Sequence, residues 1–103
     1  MMNDELRRLV DIDRVIHEPA RLLITAVLYT VESADFLYLL HATGLTKGNL
    51  SSHLMRLEKA GYICIEKQFE GKIPRTVCQL TDSGRAAFEA YRAQMKAAIT
   101  EAG

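Results

Sequence analysis

Between Thr46 and Ala60 the chain sets Lys47, Asn49, Ser51, Ser52, His53 and Arg56 around a seam of Leu50, Leu54 and Leu57. The leucines recur at helical spacing, so one face is buried and the polar groups are turned outward. On a wheel of about 100° per residue, Gly48, Asn49, Ser52, Met55, Arg56 and Lys59 fall opposite Leu50. Lys47, Ser51 and His53 fall on the flanks. Most of these residues are mediocre helix formers, and Gly48 alone costs about 1 kcal/mol relative to Ala in a helix interior. Their chemistry is that of base and phosphate recognition. Asn can make two hydrogen bonds to adenine, Arg two to guanine, and Ser bonds either. Lys, Arg and the free N–H groups at a helix start bind phosphate. Small side chains let such a helix bring its backbone against base edges, which suits the major groove of DNA.

A second basic group lies downstream, where Lys67, Lys72 and Arg75 surround Gly71. Placed at a hairpin tip, these side chains would meet the backbone or the adjacent minor groove. Contacts of that kind give affinity with little sequence information. Charge over the whole chain is balanced, but residues 46–75 carry six basic and three acidic groups, leaving −3 for the remainder. That asymmetry points to a polyanion-facing surface.

The elements that must hold these residues are legible in the pattern. Leu6, Leu9, Val10, Val15 and Ile16 suit a first helix that breaks near Asp11 to Asp13, capped by Asn3 or Asp4. Pro19 opens a second, almost wholly apolar helix with Leu22, Leu23, Ala26 and Val27. A third is expected from Ser33 as N-cap to Gly44, burying Phe36, Leu37, Leu39 and Leu40. The short "TGLT" connection to the Thr46–Ala60 helix makes a helix-turn-helix unit. Then the period changes: "YICIEKQF" and "RTVCQL" read as strands joined by the turn "EGKIP". The chain closes on a helix capped by Thr81, with a stripe of Phe88, Tyr91, Met95 and Ile99.

Other candidate chemistry is thin. His17 and His41 have no thiol or carboxylate at ligand spacing, so no metal is expected. His53 could donate to DNA or simply pack at the helix flank. Alternation turns Cys64 outward and Cys78 inward, and opposite faces do not bridge easily. No nucleophile–base pair, phosphate-cradling glycine loop or carboxylate pair emerges, so no enzyme and no cofactor are expected. The Phe88–Ile99 stripe is either core packing or a partner surface, which Leu6, Leu9 and Val10 could complete as a homodimer.

At 103 residues, with 49% hydrophobic residues and two cysteines, the chain suits a single domain over residues 1–103. "MMNDELRRLV" lacks the apolar stretch of a signal peptide, and nothing approaches the ~20 apolar residues of a membrane span. A cytoplasmic protein with no membrane contact is the expectation.

Three stretches carry a resemblance: "HEPARLLITAVL", "LYLLHATGLTKGNLSSHLMRLEKAGYI" and "GKIPRTVCQLTDSGRAAF". From Ile16 to Phe88 the chain resembles the small single-domain winged helix-turn-helix transcriptional regulators of the MarR/ArsR-like type. The likeness implies a mainly α, α+β fold with a two-stranded hairpin wing and flanking N- and C-terminal helices. It implies a homodimer on pseudo-palindromic double-stranded DNA, acting as a regulator, most simply a repressor. Carried over by position, Lys47, Asn49, Ser51, Ser52, His53 and Arg56 would face DNA from the helix, and Lys67, Lys72 and Arg75 from the wing. Gly61 and Thr81 would be structural. No small-molecule effector is assigned. The alternative is a winged-helix protein–protein interaction module without sequence-specific DNA binding, since fold does not fix function.

Overall fold

The computed structural model describes residues 4–102, with the backbone alone for Glu5 and Ala102. Asn3, one of the two caps expected for the first helix, lies outside the described residues. The helices are α1 (Asp4–Arg7), α2 (Pro19–Thr30), α3 (Phe36–Thr43), α4 (Lys47–Lys59) and α5 (Asp82–Ala102). A 3-10 turn, Arg8–Asp11, follows α1. The strands are β1 (Ala34–Asp35), β2 (Ile63–Glu70) and β3 (Ile73–Leu80), in the order β1-β3-β2 and antiparallel throughout.

The first helical run does stop at Asp11, and an ordered turn replaces the rest of it. Asp13 Oδ1 accepts from the N–H groups of Val15 and Ile16 at 2.9 and 3.1 Å. Its other oxygen accepts from the Tyr62 hydroxyl, and that bond, with burial, pushes the phenol up to about 12. Pro19 occupies the first turn of α2 as expected, and Glu18 caps it by accepting from Ala20 and Arg21 N–H.

The third helix differs from expectation. Asp35, not Ser33, is its N-cap, accepting from Tyr38 N–H at 2.7 Å. Asp35 and the residue before it pair with the sheet, Ala34 opposite Cys78 and Asp35 opposite Val77. The wing is therefore anchored to a third strand. Starting at Phe36, α3 buries Leu39 and half-buries Phe36 and Leu40. Leu37, about 100° further round from Phe36, is left exposed.

Two clusters make the core. Ile24, Leu28, Leu39, Leu50, Leu54, Leu57, Ile63 and Cys78 join α2, α3, α4 and the sheet. Ile12, Ile16, Phe88 and Tyr91 join the N-terminal turn to α5. The strand register puts Ile63 and Ile65 opposite Leu80 and Cys78 on the inner face, and Cys64 opposite Gln79 on the outer one. The hairpin turn is tighter than expected, only Gly71 and Lys72. Gly71 has φ +66°, and among the described residues no non-glycine has positive φ. That is the sign pattern of a type II′ turn, which favours glycine at its first position. At Gly84 a side chain is sterically barred: a Cβ there would lie 2.0 Å from the Tyr62 carbonyl oxygen. The start of α5 thus rests directly on the chain leaving α4, and Thr81 N–H donates to the same carbonyl at 3.0 Å.

Candidate nucleic-acid interface

Helix α4 is started by Thr46, whose hydroxyl oxygen accepts from Asn49 N–H at 3.2 Å. Leu50, Leu54 and Leu57 are buried and fix its roll. Lys47, Asn49, Ser51, Ser52 and Arg56 are consequently exposed together, as are Gly48, Met55 and Lys59. A Cβ added at Gly48 would meet open space. Nothing within the protein demands a glycine there, although it disfavours the helix. Met55, which the helical wheel sets opposite Leu50 but which is not among the residues expected to contact DNA, is exposed on this face.

His53 differs from its neighbours on the helix. Its side chain is only 22% exposed, with Nδ1 3.6 Å from Glu18 Oε2 and 3.2 Å from a terminal nitrogen of Arg21. A guanidinium has donors and no acceptor, so Nδ1 accepts and the ring proton belongs on Nε2. Of the two readings open for His53, packing at the flank against α2 is what the geometry displays.

Arg21 was not anticipated. It is buried, yet Nε donates to the Val15 carbonyl at 2.5 Å and a terminal nitrogen to the Arg14 carbonyl at 3.4 Å. One side chain therefore ties the turn before α2 to α4. The available signal was a lone cation inside the apolar run "PARLLITAVL". Burial disfavours the Glu18 carboxylate, but the Arg21 and Ala20 N–H groups and the Arg21 charge, joined by His53 when it is protonated, outweigh it. Its pKa lies below the ordinary value.

On the wing, Lys67 and Lys72 are exposed. Arg75 is placed on the same hairpin but paired: it donates to Asp35 Oδ2 at 2.6 Å and to Glu70 Oε2 at 2.8 Å. The Tyr38 N–H, followed by Arg75, holds the Asp35 carboxyl below its ordinary range. Two carboxylates thus offset one of the three wing cations, and Arg75 ties the hairpin to the start of α3.

The residues expected at a subunit surface divide into two groups. Phe88 and Tyr91, 7% and 5% exposed, pack into the protein's own second cluster. Tyr91 hydroxyl also lies 2.9 Å from His17 Nδ1. Their own chain already covers them, so they are not free faces. The reason is the turn at Asp13, which brings Ile12 and Ile16 onto α5 in place of a continuous first helix. Leu9 and Met95 flank the same cluster, and Leu6 is half-buried. Val10 and Ile99 remain 71% and 65% exposed. Cys64 and Cys78 are free thiols on opposite faces, and burial pushes Cys78 up to about 11. Among the described residues, no helix is long and apolar enough to cross a membrane.

Residues 20–99 match the winged helix DNA-binding domain family. The chain is 35% identical over 79 residues to an uncharacterised protein of Methanocaldococcus jannaschii, covering 76% of this chain and 85% of the relative. Its fold is similar to that of a transcriptional regulator homologue from Pyrococcus horikoshii OT3. There the TM-score is 0.87 at 30% identity, over 96% of this chain and 97% of the other. A MarR-family regulator from Enterococcus faecalis V583 shares the fold, with a TM-score of 0.77 at 24% identity over 99% and 92% of the two chains. With α4 as the second helix of its helix-turn-helix and the β2–β3 hairpin as its wing, this chain belongs to the winged helix DNA-binding domain family.

Proposed function

We propose that the protein is a sequence-specific transcriptional regulator that binds operator DNA as a homodimer. Helix α4 enters the major groove, and Lys67 and Lys72 on the wing meet the backbone beside it. Arg75, paired with Asp35 and Glu70 but still 41% exposed, orients the wing and has further donors for a phosphate. A two-fold dimer would present its two α4 helices about one DNA turn apart, about 34 Å. Occupying the operator would repress by excluding polymerase. The observation that carries this reading is the outer face of α4: exposed Gly48, Ser51 and Ser52, bordered by Lys47, Asn49 and Arg56, with open space at Gly48. A face that thin is costly for the helix and useful to a base-reading surface.

The test is salt-dependent binding to fragments selected from the source genome. Arg56→Ala and Lys72→Ala should each weaken binding. The wing change should act almost equally on all sequences and lower the salt dependence by about one phosphate contact. If both variants bound like wild type at moderate salt, or the wild type retained no fragment over bulk DNA, the reading would fail.

A further inference from the structure

We propose that Met55 is a specificity-determining residue, packing against the 5-methyl group of a thymine in the major groove. This rests on α4 being the DNA-reading helix. Met55 is 67% exposed, although every other residue opposite the buried leucine seam is polar or glycine. On a wheel of about 100° per residue with Leu50 at zero, Met55 falls near 140°, Gly48 near 160°, Lys59 near 180° and Ser52 near 200°. Those four lie closest to the outward direction, Lys59 in the last turn of the helix. Asn49 and Arg56 lie further round, to one side. Measured from the centre of the Leu50, Leu54 and Leu57 seam, Met55 is turned outward about as far as Arg56 and further than Asn49.

The surroundings favour a small apolar contact there. Gly48, Ser51 and Ser52 flank Met55, and with Arg56, Glu58 and Lys59 they line one open depression on the helix surface, where the two cations outnumber the one carboxylate. The short side chains leave the methionine as the apolar projection within it. In the major groove the thymine methyl is the distinct apolar feature among the base edges. An unbranched thioether adapts to such a surface with little strain. Seven residues separate Gly48 from Met55, about 10.5 Å of helix, or about three base-pair steps. Met55 would thus address a different base pair from the start of α4.

The test uses a duplex operator selected from random sequence by the wild-type protein, with each thymine replaced singly by deoxyuridine. At one position per half-site, loss of the methyl should weaken wild-type binding about fourfold, the worth of one buried methylene-sized group. In Met55→Ala the thymine-to-uracil ratio at that position should fall to about one, and in Met55→Leu it should persist. Equal ratios in wild type and Met55→Ala at every position, with selective wild-type binding intact, would overturn the role of Met55 alone. Failure of the wild type to select any sequence would overturn the DNA-reading function and this role together.

Discussion

Arg21 ties α4 to the rest of the protein, because its guanidinium reaches both the turn before α2 and His53. The direction of the Arg21–His53 bond fixes the ring proton on Nε2. Long-range proton–nitrogen spectra should therefore show Nε2–H at neutral pH, and a dominant Nδ1–H form would contradict the bond. Arg21→Met should leave the Val15 and Arg14 carbonyls without this partner. Both acceptors are only part-buried, so the cost should fall at the low end of the about 1–3 kcal/mol of an unsatisfied buried acceptor, measurable by urea unfolding. Two glycines make a matched contrast. Gly48→Ala should stabilise the fold by less than about 1 kcal/mol, the interior value, because the added methyl meets open space and Ala is the better helix former, but Gly48 lies in the first turn of α4. Gly84→Ala should destabilise it by about 1–3 kcal/mol or more, because backbone must move away from the new Cβ. Equal effects at the two sites would contradict the close approach of the Tyr62 carbonyl to α5.

At the scale of elements, two helix starts depend on carboxylates, Glu18 for α2 and Asp35 for α3. Both carboxyls have folded pKa values below their ordinary ones. Groups with depressed folded values contribute stability that is fully present above the unfolded values, about 4.3 for Glu and 3.9 for Asp. That contribution is lost as pH falls through the lower folded values. The melting temperature should accordingly fall below about pH 4, and Glu18→Gln with Asp35→Asn should flatten that fall. Asn is itself a good cap, so the double variant should still fold at pH 7. An unchanged acid slope in the double variant would show that other groups set it. The same two residues show what was legible beforehand. The start of α2 was readable because Pro19 marks a first turn, and the inner seam of α4 because leucines recur at helical spacing. The start of α3 was not. The short strand of Ala34 and Asp35 has no β-forming pattern, and its existence depends on Val77 and Cys78 of β3, far along the chain. The exposed face of α4 could be read from the wheel. The Arg21–His53 link and the pairing of Arg75 with Asp35 could not, because both join residues distant in sequence through side-chain geometry.

Over the whole molecule, shape and exposure together argue for a second copy. The Cα radius of gyration is 15.5 Å and the principal extents are 62 × 25 × 21 Å. A compact chain of this length would have a radius of gyration of about 13 Å. Part of the excess is α5, whose 21 residues extend about 31 Å. Helix α1 and the turn after it pack along α5, yet Val10 and Ile99 on these elements remain largely exposed. A small protein gains stability by covering such residues, and a two-fold partner is the simplest cover that also supplies a second α4. Sedimentation equilibrium should give twice the mass of one chain, with a melting temperature that rises with protein concentration. Val10→Asp with Ile99→Asp should shift the protein to monomer, since each places an unpaired carboxylate in the covered face. The monomer should keep its helical content, because Phe88, Tyr91, Ile12 and Ile16 close their own cluster within one chain. It should bind one half-site weakly and lose the preference for palindromic fragments. A wild-type protein that sediments at chain mass at all concentrations would rule out the dimer, while leaving the single α4 as a weaker reader of one half-site.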